Sequence, residues 1–508
     1  FVQYFMPYRE LGVVKEASKD LIMNIEERGQ MVQFKVFATN KQRMRIVLVA
    51  DDGKVLYDQQ KTLSPEEVLV ESVPCGTLSL QQLNLKIFKE EYGRERCVMH
   101  WHAESDEIRP IPDSAEAALL PEQIKTNEQL FLTGQHLEQY RHATWNPLDY
   151  YEEALRRDPD DVRCLNAMGL WYIRKGRFDK AECYLRKAVK LITKRNPNPY
   201  DSEPIYHLAL ALKYQGQYDE AYERFWKATW SKACADAGYF EAAKISVMQG
   251  RLDDALDELE RCLVYGAHNQ KALALKAAVL RLMGRRECAM EVCKVALSTD
   301  LFNYGCRYEQ YLLLKEDETR SEEGKAQLNE LIALLQDLSK NYDEIALDYC
   351  AAGLYEEAKA IWQLAIQQKA TSPMTWYYLF AFCGEADAWE KAEQADSAYC
   401  FPNRAEDVIA LNAAKAHCAT TGAHNASLGA KAPYYLGCLY YAARQYDLAI
   451  ENWELSAKLD PSFPTVWRNL ALGRFNKQNR QEEALAYMEK AFHQAKIGRA
   501  VQQECRDR

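Results

Sequence analysis

The 508-residue sequence predicts a mostly α-helical solenoid of antiparallel helix pairs, wound into a right-handed superhelix and preceded by a small antiparallel β-sandwich. Three observations carry that expectation. A short phrase recurs along most of the chain, a small-then-large pattern of apolar residues surrounds each copy, and a run of short β-rich segments comes before the first copy. Repetition at a fixed period is the signature of stacked supersecondary units.

The phrase reads G-x-(Y/F)-(D/E)-x-A. It stands at Gly176–Ala181 (GRFDKA), Gly216–Ala221 (GQYDEA), Gly250–Ala255 (GRLDDA), Gly284–Ala289 (GRRECA) and Gly353–Ala358 (GLYEEA), with variants at Arg444–Ala449 (RQYDLA) and Arg480–Ala484 (RQEEA). Ala221, Ala255 and Ala289 are spaced by 34 residues, the period of tetratricopeptide repeats. Glycine supplies the backbone angle that ends the first helix of a pair. The acidic residue after it sits in the first turn of the second helix and complements the positive end of the helix dipole. Small residues such as Gly169, Ala181, Ala209 and Ala221 allow the two helices to approach, and Leu165, Tyr172, Leu185, Phe225, Leu259, Trp362 and Trp453 fill the layers between repeats. Prolines after Asp158 and Asp460 stop a helix and reset direction. Units are expected at about 128–160, 162–195, 202–235, 236–269, 270–303, 339–372, 373–405, 430–463 and 464–495. They form arrays over 128–303 and 339–495, separated by an off-pattern helical segment at 304–338. Residues 400–430 are expected to be a longer irregular connection, because Cys418–Ala430 is rich in small and polar residues.

Residues 1–108 follow a different rule. β-rich runs at Leu21–Ile25, Met31–Ala38, Met44–Ala50, Lys54–Gln59, Val68–Val73, Leu83–Phe88 and Cys97–His102 are divided by turn signals at Gly29, Gly53 and Gly76. Seven such runs in about a hundred residues point to an immunoglobulin-like sandwich, or to the end of a larger β domain. Pro110, Pro112 and Pro121, among acidic residues, mark 109–127 as a linker.

Composition limits the functional classes. The net charge of −10 argues against a nucleic-acid or membrane-surface role. Fifteen cysteines without a C-x-x-C pair suit a reducing compartment, and with it the cytoplasm. No apolar run reaches the roughly 20 residues of a membrane span. The chain begins at Phe1, which reads like the interior of a longer protein, and 496–508 (KIGRAVQQECRDR) reads as an adapter-derived artefact.

Three segments carry a resemblance: Tyr4–Lys15 (YFMPYRELGVVK), His136–Pro147 (HLEQYRHATWNP) and Arg195–Asp201 (RNPNPYD). They resemble the bacterial tetratricopeptide-repeat family headed by the domain of unknown function numbered 5107, over 4–495. The resemblance implies an upstream β-sandwich similar to galactose mutarotases and an association with carbohydrate metabolism. It transfers no catalytic residue to this chain.

Candidate sites follow from the repeat geometry. The inner face of such an array comes from the first helix of each pair. Reading its positions gives Arg163, Asn166 and Arg174, then Tyr206, Lys213 and Tyr214, then Phe240 and Lys244, then Lys271 and Arg281. All the charges in that set are basic, so a groove for an acidic peptide, a carboxylate or an anionic glycan is expected. Cations paired along exposed helix faces are the plainer alternative. Position-nine residues Leu170, Leu210 and Ala278 do not fit a chaperone-tail clamp. Arg141 and His142 could hold an anion or serve an interdomain contact. Trp171, Trp226, Trp230, Trp376, Tyr377, Tyr434, Tyr435 and Trp467 could stack on sugars, though inter-repeat packing accounts for aromatics at helical spacing. His100 and His102 share a strand face but lack a third metal ligand beyond Glu104, so no metal is expected. Glu152–Glu153 and Asp253–Asp254 fall at repeat turns, where helix capping explains them. No nucleotide-binding glycine loop, nucleophile elbow or H-E-x-x-H motif occurs, and no cofactor is expected. A binding scaffold for a protein, peptide or glycan is the leading expectation; an accessory region of a carbohydrate-active enzyme is the alternative.

Overall fold

The computed structural model describes residues 5–6, 8–91, 93–104, 113, 116–140, 144–315, 318–421 and 428–494. Arg141, His142, Pro110, Pro112 and the segment 496–508 lie outside the described residues. The chain divides into two units, Phe1–Ala117 and Ala118–Arg508.

The first unit is a β-sandwich. Its strands are β1 (Glu16–Ala17), β2 (Leu21–Arg28), β3 (Met31–Ala38), β4 (Gln42–Ala50), β5 (Val55–Leu63), β6 (Leu69–Pro74), β7 (Leu83–Glu91) and β8 (Arg94–His102). They form two antiparallel sheets ordered β1-β2-β3-β6 and β5-β4-β7-β8. The chain passes from one sheet to the other between β3 and β4, β5 and β6, and β6 and β7, so that β3 pairs with β6 and β4 with β7, a connectivity found in immunoglobulin-type sandwiches. Each of the seven runs overlaps a strand, with Lys54 and Val68 falling just before β5 and β6, and β1 is an additional two-residue edge. Alternation sends Phe34, Val36, Ile46, Leu48, Leu85 and Ile87 into one apolar core. Phe34 meets Tyr57 edge-on at 5.1 Å.

The second unit holds 21 α-helices among the described residues. Helix pairs such as Val162–Arg174 with Phe178–Ile192, and Glu203–Tyr214 with Tyr218–Ala228, follow the predicted repeats. Gly176, Gly216, Gly250, Gly284 and Gly353 take φ of +68° to +76° at the turn within each pair. In the two variants that lack glycine, Arg444 (φ 59°) and Asn479 (φ 55°) take that conformation instead. Close approach accounts for the small residues: a Cβ on Gly169 would lie 2.4 Å from Leu185 Cγ, and one on Gly437 would lie 2.4 Å from Trp453 Cδ1.

Two segments depart from expectation. The stretch read as an irregular connection contains a 17-residue helix, Ala405–Thr421. Val408, Leu411, Ala414 and Cys418 are its buried stripe. Ala410, Ala414 and Cys418 on the buried face are small, which hides the amphipathic period from a reading of bulky residues alone. The C-terminal half of the predicted linker belongs to the helical unit. Tyr150 donates to the Leu119 carbonyl at 2.8 Å, and Arg157 donates to the carbonyls of Ile124 (2.6 Å) and Pro121 (3.1 Å).

The superhelix closes on itself. Ala352 joins the cluster of Tyr239, Ala243 and Val247, and Ile409 packs on the cluster of Ile205, Leu208 and Leu212. Gly353 approaches Met248, and Gly176 approaches Val408. The later repeats thus occupy part of the concave face of the earlier ones. No helix among the described residues is long and apolar enough to cross a membrane.

Candidate functional site

The closure leaves open a cavity of about 1560 Å³. One wall comes from the first helices of the first two repeats, Asn127–Gln139 and Val162–Arg174, with Phe131, Glu138, Arg163, Asn166, Trp171 and Arg174. Facing them are segment 397–404 and the helices Lys431–Ala442 and Pro464–Gln478, with Tyr434, Tyr435 and Arg468. Six arginines or lysines (Arg163, Arg174, Lys175, Arg404, Arg444, Arg468) line it against three acids (Glu138, Asp201, Glu203), so an acidic chain presents a cation-rich cavity.

The polar groups on the first wall are fixed. Arg174 Nη1 lies 2.5 Å from Glu138 and remains 56% exposed. Arg163 pairs with Glu128 and Asp161, and its guanidinium lies 5.1 Å from the Phe131 ring centre. Asn166 donates to Glu203 at 3.4 Å and meets His207 Nδ1 through its carbonyl oxygen at 2.7 Å. Burial, reinforced by the Arg174 charge, pulls His207 down to about 4, so the ring is neutral near pH 7.

The opposite wall carries two non-glycine residues in the left-handed region, Tyr399 and Arg444. Tyr399 takes φ +56° and is 90% exposed; Phe401, two residues on, is 67% exposed. A non-glycine residue in the left-handed region costs of order 1–3 kcal/mol and persists where its surroundings over-determine it. Around Tyr399, the Cys400 N–H donates to the Ser397 carbonyl at 3.2 Å, and the following residues are fixed by Asp407, whose carboxylate accepts from the backbone N–H of Asn403 (2.6 Å) and Arg404 (2.9 Å) and from the Tyr378 hydroxyl. Arg404 is itself tied to Glu344.

The residues read from the sequence separate into three groups. Arg163, Asn166 and Arg174 line the large cavity. Phe240, Lys244 and Lys271 line a smaller one of about 230 Å³. Tyr206, Lys213, Tyr214 and Arg281 line neither. Lys213 and Lys244 each place Nζ 2.6 Å from Glu241, with all three side chains nearly buried. Burial pushes the Glu241 carboxyl up, but the two ammonium groups outweigh it and hold it near 2. Arg281 reaches Glu309 at 2.6 Å and Glu357 at 2.9 Å, and Lys271 reaches Asp348 at 2.7 Å. Tyr206 packs 5.6 Å from Phe225; Tyr214 stacks on Phe178 at 4.8 Å and donates to Glu406 at 3.3 Å. A continuous basic groove along the first helices is therefore not formed. Counting cations at inner positions omitted the acids that meet them from later helices and from across the superhelix.

Of the aromatics read as sugar-stacking candidates, Trp171, Tyr434 and Tyr435 line the large cavity. Tyr377 is buried on Glu393, and Trp226 donates to Glu258. In the first unit, His100 meets Asn84 at 2.9 Å and His102 lies 3.4 Å from Asp51. Tyr399, Phe401, Arg404 and Arg468 were not among the sequence candidates. The signal for the first three is weak, an aperiodic YCFPNR stretch at 399–404 between helices, and Arg468 lies within the helix Pro464–Gln478.

Comparison with known proteins adds two family matches. Residues 16–99 match the second domain of YphG-like proteins, and residues 162–194 match the tetratricopeptide repeat. Among solved structures, Pseudomonas aeruginosa pilF is 18% identical over 41% of this chain and 92% of its own, with a TM-score of 0.35. The C-terminal part of a Cytophaga hutchinsonii repeat protein is 13% identical over 49% of this chain and 96% of its own, with a TM-score of 0.35. A tetratricopeptide repeat protein from Parabacteroides merdae is 14% identical over 61% and 98%, with a TM-score of 0.28.

Proposed function

We propose that this tetratricopeptide-repeat protein is a binding scaffold, and that it takes an acidic peptide stretch of a partner protein in the large cavity. One observation carries the reading: a space of about 1560 Å³ with Arg174, 56% exposed, on one wall and the left-handed, exposed Tyr399 on the other, while Arg163 and Arg404 in the same lining are already paired with Glu128 and Glu344. Guanidinium groups recognise carboxylates through paired charge-assisted hydrogen bonds. Exposed aromatic rings supply contact area at little cost in side-chain entropy. Arg174 would exchange or share its partner Glu138 with a ligand carboxylate, which its exposure permits.

The test is fluorescence anisotropy with a labelled Glu-rich peptide, a neutral peptide of the same length and an acidic oligosaccharide. Preferential binding of the Glu-rich peptide, weakening as salt rises, is expected. Equal binding of the neutral peptide, or none of either peptide, would remove the reading. Stronger binding of the oligosaccharide would favour the carbohydrate-accessory alternative, which rests on the exposed rings of Tyr399 and Phe401 and on the resemblance to the family of domain 5107. Membership of that family and a cytoplasmic location are parts of the same proposal.

A further inference from the structure

The smaller cavity lies beside the larger one. It is lined by the helices Lys232–Met248, Gln270–Leu282, Tyr304–Lys315 and Ser339–Cys350. Its walls are mainly apolar, with Phe240, Leu275, Tyr304, Ile345 and Tyr349 inside and Phe302, 62% exposed, at the edge. Gly305 sets one side: a Cβ there would lie 2.7 Å from Ala274 Cβ.

The charged groups around the cavity are already engaged. Asp348 holds Lys271 at 2.7 Å, Lys244 is held by Glu241, and Asp300 accepts from the Phe302 N–H at 2.9 Å. Glu344, on this cavity's wall, is bound to Arg404, on the wall of the large one. That ion pair joins the linings of the two spaces. The engaged charges leave an apolar ring or a branched aliphatic chain as the group that loses least on entry. A cavity of about 150 Å³ lined by apolar side chains is known to hold one benzene ring, so about 230 Å³ suits one ring side chain with its stem.

We infer that this cavity is a second subsite of the scaffold, which anchors one phenylalanine-like side chain of the same acidic peptide that occupies the large cavity. The inference rests on the reading given under Proposed function. The peptide crosses the Arg404–Glu344 pair, with its carboxylates on the cation-rich side and its ring on the apolar side. Phe302 closes over the ring as the rim.

The test compares a Glu-rich peptide with the same peptide carrying one terminal Phe, and replaces that Phe with photoreactive benzoylphenylalanine for cross-linking. The Phe peptide should bind about tenfold tighter or more, the effect of burying one large apolar side chain. Ile345→Phe, which puts a ring into the void, and Phe302→Ala at the exposed rim should each remove that gain and leave the plain Glu-rich peptide unaffected. Circular dichroism checks that both variants keep the wild-type fold. Cross-links should map to 300–305 or 345–349. The inference is overturned if the gain survives both substitutions, or if cross-links map to Tyr399–Phe401; the large-cavity reading would then stand alone. It is also overturned if free 3-phenylpropanol binds this cavity and the Phe peptide does not displace it, which would mark a small-molecule site. Failure of the wild type to bind either peptide would remove both readings.

Discussion

Arg281 Nε lies 2.6 Å from a carboxylate oxygen of Glu309, with the arginine side chain 9% exposed and the glutamate fully buried. Tyr349, on the first helix of the following pair, donates to the same carboxylate at 2.6 Å. Breaking a buried pair leaves an uncompensated charge and costs about 3–5 kcal/mol, whereas replacing both partners with apolar groups of similar volume is often neutral. Arg281→Ala is therefore expected to lower the urea midpoint strongly, and Arg281→Met with Glu309→Leu to recover most of the loss. A double variant no better than the single one would show that the pair contributes more than satisfied burial.

Asp343 gives a pH signature. It is buried beneath Trp362 and Thr375, which donate to it at 3.0 and 3.1 Å. Burial pushes its carboxyl from an ordinary 3.8 up to about 7, against the pull of those hydrogen bonds. The folded state therefore keeps the proton over a range where the unfolded chain releases it. The stability this contributes is fully present below about pH 3.8 and is lost as pH rises towards 7. Asp343→Asn should flatten the stability profile across that window and raise the melting temperature at pH 8. At roughly 1.4 kcal/mol per unit the ceiling is about 4 kcal/mol, and relaxation of the site should leave a gain of order 1 kcal/mol.

Glycines in two roles should respond differently. At Gly437 a Cβ would press on the buried Trp453 ring, so Gly437→Ala is expected to cost about 1–3 kcal/mol through overpacking. At Gly216 there is open space, but φ is +76°, and Gly216→Ala is expected to cost about 1 kcal/mol through backbone strain. Thermal unfolding followed by circular dichroism separates the two. Equal costs would contradict the packing account of Gly437.

Binding should depend on residues that folding does not need. Tyr399→Ala and Phe401→Ala remove exposed rings and are expected to leave the melting temperature within a degree or so while weakening the Glu-rich peptide about tenfold. Arg174→Ala should weaken it as well and reduce its salt dependence. Titrations at low and high salt check this; loss of binding with unchanged salt dependence would remove Arg174 from the contact.

The fold was largely legible because its signals are local. The 34-residue spacing of Ala221, Ala255 and Ala289 and the alternation in Met31–Ala38 each follow from one element's own geometry. The helix Ala405–Thr421 is hard to read because its buried face mixes Val408 and Leu411 with the small Ala410, Ala414 and Cys418 and the charged Asp407. The site was legible only where it rests on consecutive first helices, as with Arg163, Asn166 and Arg174. Which cations are neutralised depends on partners such as Glu309 for Arg281 and Asp348 for Lys271, which stand 28 and 77 residues away. A period identifies equivalent positions in successive repeats, but not which repeats meet across the superhelix.

The contacts between early and late repeats change how the second unit should come apart. An open solenoid behaves as a row of neighbours and can lose repeats from its ends one pair at a time. Here Arg177 reaches Gln445 at 3.5 Å, 268 residues along the chain, and Tyr214 reaches Glu406. Such closures make the ends depend on each other. Fraying is replaced by a common opening event, and amide exchange in the helices Val162–Arg174 and Lys431–Ala442 should share one opening free energy.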